Sequence, residues 1–182
     1  MFLRAFRLAL LIAIASISLN AIFNLPSSAR VFLQSAQPHT VIDYYRLLPD
    51  KYFEATREQR FSWMLDPKRG AVVDVSNGYL YAAGDGAQTD IYVCLFKRLD
   101  GTYLVAVKSH ESDSDIYTYL DFYIYDKGRL QNVTKQSLPM KFDKELKYEL
   151  PRYGTTVKVT DENGKRVYDL VWINGKFKLK RA

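Results

Sequence analysis

Cysteine is almost missing from these 182 residues: Cys94 stands alone, so no intramolecular disulfide can form and the fold must rest on packing. Histidine is nearly as scarce. His39 and His110 are the only two, and a nucleophilic triad needs a placed imidazole. His39 lies in a tether ahead of the domain. Ser109 and Glu111 flank His110, but on a strand consecutive side chains leave by opposite faces, so adjacency alone brings no hydroxyl to the ring. Cys94, set among Val93, Leu95 and Phe96, reads as a small buried hydrophobe. No phosphate-cradling glycine loop and no zinc-ligand spacing occurs.

The acidic stretch Glu111-Ser112-Asp113-Ser114-Asp115 fails as a calcium loop. Counting from Glu111 places Ile116 and Phe122 where glycine and a bidentate glutamate belong, and counting from Asp113 places Thr118 and Ile124 there. A simpler calcium site would need Asp85 or Asp90 from another loop. A solvated hairpin tip is the plainer reading, so neither a metal nor a cofactor is expected. Charge of one sign is also in short supply: 26 Lys and Arg face 20 Asp and Glu, interspersed, which excludes a dedicated nucleic-acid reader.

The one long apolar run is Leu8 to Phe23, behind Arg4 and Arg7 and ahead of Pro26-Ser27-Ser28-Ala29. Basic start, apolar middle and small residues form the layout of a secretory signal, with cleavage expected after Ala29. Retained, the run would be a membrane anchor slightly short of the roughly 18 to 20 residues a spanning helix needs. The expected organisation is a signal peptide over 1–29, a tether over 30–40 and a single globular domain over 41–182. Its expected place is periplasmic or secreted, with membrane contact only through an uncleaved N-terminal segment.

Two short helices are predicted first. Thr40 caps one carrying Val41, Tyr45 and Leu48 on a face and closed by Pro49, and Thr56 with Gln59 forms a capping box for another carrying Phe61, Trp63, Met64 and Leu65 up to Asp66-Pro67. From Gly70 the pattern changes to β-branched and aromatic runs punctuated by Asn77-Gly78, Asp100-Gly101, Lys127-Gly128, Asn163-Gly164 and Asn174-Gly175. All but Lys127-Gly128 are favoured type I′ hairpin pairs. Two-residue turns place Val157 opposite Leu170, Val159 opposite Tyr168, Asp161 opposite Arg166 and Glu162 opposite Lys165. They also set Trp172 against Phe177 and Leu170 against Leu179, so that Tyr168, Trp172, Phe177 and Leu179 join one core face while Lys176, Lys178 and Lys180 project from the other.

The same rule puts Val73, Val75, Leu80 and Ala82 inside and Tyr79 and Tyr81 outside. It groups Tyr92, Cys94 and Phe96 with Tyr103, Val105 and Val107, against Val93, Leu95, Leu104 and Ala106. Alternating charges between Met140 and Leu150 predict a further strand. The fold class is mainly β, a β-rich α+β chain: an antiparallel meander of about nine hairpin-linked strands forming a sandwich or partly open barrel, with the two helices packed on it.

Tyrosine is abundant, at 14 residues. Tyr117, Tyr119, Asp121, Tyr123 and Tyr125 alternate against a core stripe of Thr118, Leu120, Phe122 and Ile124, so the tyrosine set faces outward or toward a second layer. With Tyr79 and Tyr81 as an extension, it is the candidate ligand-binding surface, suited to stacking on sugar rings or receiving an envelope protein. The plain alternative is a cross-strand tyrosine ladder that only stabilises the sheet. The lysine row at Lys176, Lys178 and Lys180 suits an anionic polymer or lipid head groups, although such rows more often block edge pairing. Asn132-Val133-Thr134 fits a glycosylation acceptor.

The functional expectation is an exported, non-catalytic binding or assembly module of the cell envelope with a glycan or protein partner. The alternatives are a hydrolase of envelope polysaccharide, using carboxylates among Asp85, Asp90, Glu111, Asp113 and Asp115, and a structural or inhibitory partner of another secreted protein.

Overall fold

Thr40 opens the first helix as read from the sequence. Its hydroxyl accepts from Asp43 N while Asp43 accepts from Thr40 N, a closed capping box at the start of helix α1, Val41–Arg46. Thr56 and Gln59 do the same for helix α2, Arg57–Ser62. That helix stops short of the expected length. Trp63 to Leu65 form a turn, and Asp66 caps the separate 3₁₀ turn Pro67–Arg69. Another 3₁₀ turn, Asp50–Tyr52, joins the helices, and Arg60 ties it to α2 by pairing with Asp50 at 2.8 Å and lying over the Phe53 ring.

The computed structural model describes residues 37–110 and 119–182. The expected signal segment, the tether up to residue 36, and Tyr117, Thr118, Glu111, Asp113 and Asp115 lie outside the described residues. Pro38–Ala182 forms one compact unit. Among the described residues, no helix is long and apolar enough to cross a membrane.

The strands are β1 (Val72–Asp74), β2 (Tyr79–Ala82), β3 (Asp90–Lys97), β4 (Tyr103–His110), β5 (Tyr119–Asp126), β6 (Arg129–Asn132), β7 (Lys147–Glu149), β8 (Thr156–Thr160), β9 (Arg166–Ile173) and β10 (Lys176–Arg181). They make two antiparallel sheets in meander order, β1 to β6 and β7 to β10. A short helix α3, Thr134–Ser137, lies between them in sequence. The chain is therefore mainly β in a sandwich-like arrangement, with few short helices.

Each face of the six-stranded sheet has its own core. One face, through Leu80, Ile91, Val93, Val105 and Val107, meets the helical segment at Val41, Tyr44, Tyr45, Leu48 and Met64. The other, through Cys94, Phe96, Leu104, Ala106 and Phe122, meets the four-stranded sheet at Val157, Val159, Leu170 and Phe177. Phe96, Phe122, Trp172 and Phe177 interlock there at ring separations of 4.9 to 5.5 Å.

Turn chemistry corrects the expected registers. Positive φ at both turn positions, which type I′ requires, occurs at Lys127-Gly128 and Asn174-Gly175; at the other three dipeptides only the glycine has it. At Asp100-Gly101 the loop is three residues, closed by Arg98 N to Thr102 O at 2.8 Å, with Asp100 accepting from Thr102 N. The strands slip by one, so Cys94 pairs with Ala106 and Phe96 with Leu104. A one-residue slip exchanges faces: Tyr92, Cys94 and Phe96 share theirs with Leu104, Ala106 and Lys108, not with Tyr103, Val105 and Val107.

At Asn77-Gly78 the loop is four residues, because Asp74 gathers Ser76 Oγ, Asn77 N and Asn77 Nδ2. Val73 pairs with Leu80 where the two-residue turn would have set Val75, a two-residue shift that keeps the faces, but Val73 and Val75 are exposed at the sheet edge. At Asn163-Gly164, Asp161 N bonds Lys165 O, so Asp161 does not face Arg166 and Glu162 sits in the loop. A bulge between Val159 and Thr160 then restores the expected pairs of Val157 with Leu170 and Val159 with Tyr168. Trp172 pairs with Phe177 as predicted, whereas Leu179 on the edge strand is exposed. Between Met140 and Leu150 only Lys147–Glu149 is strand; Asp143 turns the chain before it by accepting from Glu145 N.

Candidate binding face

The expected tyrosine surface divides across the two faces of the six-stranded sheet. Asp121 and Tyr123 pair with Val107 and Val105 and so look toward the helices, whereas Tyr79 and Tyr81 pair with Cys94 and Tyr92 on the opposite face. Tyr79 and Tyr81 therefore do not extend the β5 set. Tyr119 is exposed, Tyr125 is half-buried against the helical core, and Tyr123 is buried.

Tyr123 belongs to a latch. Asp121 Oδ2 accepts from Lys51 Nζ at 2.7 Å and from Tyr52 OH, whose oxygen lies 2.7 Å from Tyr123 OH. Asp121 Oδ1 accepts from Asn132 Nδ2 at 3.0 Å and Thr134 Oγ1 at 3.2 Å. Burial pushes Asp121 up, yet the bonds from Lys51, Tyr52 and Asn132 outweigh it and hold the carboxyl below its ordinary range. Burial, with the bonds to Asp121 and Tyr123, drives Tyr52 far up. The latch fastens the Asp50–Tyr52 turn to β5 and ties β5 to β6 and the start of α3. The amide of Asn132, the expected glycosylation acceptor, is engaged in it.

Asp85 and Asp90 are likewise committed to their own loop. Asp85 accepts from Gln88 N and Asp90 from Gly84 N. Buried Gln88, which the sequence reading passed over, clasps the helical segment: its Oε1 accepts from Glu54 N and Ala55 N, and its Nε2 donates to Tyr52 O. Cys94 is buried with Sγ on Pro151 O, and burial pushes its thiol up to about 12. His39 is exposed, with its backbone N–H on Asp43. Among the described residues, no group of three or more His, Cys, Asp or Glu is placed to hold a metal ion.

A further row lies on the other face, where Tyr81, Tyr92 and Lys108 stand directly opposite one another across β2, β3 and β4, with Tyr92 packed at the border of the second core. Tyr81 and Tyr92 stack at 4.8 Å with 27° between ring planes, and Lys108 Nζ lies over the Tyr92 ring at 5.0 Å. All three are half-buried, and Tyr79 stands beside Tyr81 at the next position on that face. Burial pushes Tyr92 and Tyr81 up, with Asp90 adding to it. Desolvation pulls Lys108 down, against the more distant Glu149 and Asp90. No described carboxylate comes within ion-pair distance of its amine. The arrangement offers two stacked rings and one poorly solvated cation.

Sequence reading found Tyr79 and Tyr81 and missed Tyr92 and Lys108. The available signal was Lys108 itself, a lone charge at the end of the apolar run Leu104 to Val107. No family model matches the chain, and neither a curated protein nor a solved structure matches it.

Proposed function

We propose that this chain acts outside the cytoplasm as a non-catalytic binding module, and that the Tyr81–Tyr92–Lys108 row takes an anionic ring-bearing ligand of the acidic-sugar class. Export rests on the N-terminal pattern of Arg4, Arg7 and the apolar run to Phe23. The observation that carries the ligand class is Lys108: a half-buried ammonium held over the Tyr92 ring, which Glu149 and Asp90 influence electrostatically without any described carboxylate forming an ion pair with it. A cation so placed gains when an anion arrives, and the adjoining rings supply a stacking surface for the apolar face of a sugar.

Calorimetric titration with a uronic-acid oligosaccharide and with its neutral, carboxyl-reduced counterpart tests this. Lys108→Met keeps the aliphatic stem and removes the charge. The expected result is saturable binding of the acidic chain, at least about tenfold weaker for the neutral one and for the variant, the loss of one charge-assisted hydrogen bond. Equal binding of both sugars, or an unaffected Lys108→Met, refutes the assignment.

A further inference from the structure

One end of the sandwich presents apolar side chains to water inside a ring of cations. The β3–β4 and β9–β10 turns meet there: a Cβ on Gly175 would lie 3.6 Å from Leu99 Cγ, and Trp172 Nε1 donates to Lys97 O at 2.8 Å. Leu99 at the apex is 82% exposed and Ile173 beside it 39%. Lys97 and Lys176 flank them, both exposed. Since β5 runs back along β4 with Ile124 opposite Leu104, the Lys127-Gly128 turn lies at the same end and adds exposed Lys127 and Arg129. The acids of these turns are occupied, Asp100 by Thr102 and Arg98 and Asp126 by Gln131.

Edge protection accounts for lysines along β10. It gives no reason for a leucine held at the apex. A hydrated polyanion would meet the lysines and leave Leu99 in water, whereas the boundary between head groups and acyl chains satisfies both. We propose that this end docks on a bilayer containing anionic lipid, with Leu99 and Ile173 entering the boundary and Lys97, Lys127, Arg129 and Lys176 meeting the head groups. The contact is separate from the tyrosine row.

The test uses the full chain with an environment-sensitive fluorophore on Leu99→Cys, since Cys94 is buried in the folded protein. A second label on Glu162→Cys marks the far end of β9. The protein is mixed with vesicles of phosphatidylcholine, or of phosphatidylcholine with about 30 mol % phosphatidylserine. A blue shift is expected at position 99, on the anionic vesicles alone, and not at 162. Each cation is worth about fivefold, from about 1 kcal/mol near an anionic surface, so Lys97→Gln with Lys176→Gln should lower the docked-to-free ratio about 25-fold. A silent label at 99, an equal response at 162, or an equal response on phosphatidylcholine overturns the proposal. So does capture by dextran sulfate with no vesicle response.

Discussion

Tyr52→Phe removes one oxygen from the latch and leaves its shape intact, so its cost isolates the hydrogen bonds. Tyr52 OH donates to Asp121 and lies 2.7 Å from Tyr123 OH. Its loss leaves buried Tyr123 and half-buried Asp121 each short of a partner, at about 2 kcal/mol in total. With a urea slope of about 2 kcal/mol per molar, the unfolding midpoint should fall by about 1 M. Lys51→Met is the control: its side chain is 52% exposed and screened, so its pair with Asp121 should be worth less than about 1 kcal/mol. Asp121 is held below its ordinary value, so its contribution is complete above the unfolded-state pKa of about 3.9 and is lost as the pH falls through the lower folded-state value. Asp121→Asn should therefore flatten the acid limb of the stability profile. An unchanged midpoint for Tyr52→Phe, or a larger loss for Lys51→Met than for Tyr52→Phe, would refute this reasoning.

Other changes should behave as follows. Gly84→Ala would set a Cβ 2.0 Å from the Gln88 carbonyl and should cost about 3 kcal/mol or more, seen as failure to express folded protein or a steep drop in urea midpoint. Lys108→Met should raise thermal stability by up to about 1 kcal/mol while weakening acidic-sugar binding at least about tenfold, since it removes a desolvated charge kept for a ligand. Cys94 should resist a thiol reagent at pH 8 and react fully in denaturant, because burial keeps the thiol protonated up to about 12; rapid labelling of the native protein would contradict its placement.

Local chemistry was legible in the sequence wherever a few adjacent residues decide the outcome. Both capping boxes and the Asn174-Gly175 turn formed as read. The misread loops share an aspartate. Asp74, Asp100 and Asp161 each accept backbone N–H groups two to four residues ahead, widening a two-residue turn to three or four. That choice is local as well, but a single residue of slip at Asp100 changed which side chains share a face across the sheet. The tyrosine pattern on β5 told which residues alternate and not what covers them; the helical segment supplied the cover, turning Tyr123 and Asp121 into a latch. Lys108 became a site residue only when the slip set it opposite Tyr92.

Paired cysteines test that slip directly. Residues directly opposite in an antiparallel pair have Cα atoms about 4.5 to 5.5 Å apart, within disulfide reach. Tyr92→Cys with Lys108→Cys should cross-link fully under mild oxidation, and Tyr92→Cys with Ser109→Cys should not. The reverse outcome would restore a two-residue turn at Asp100-Gly101, send Lys108 to the helical side and dissolve the proposed binding row.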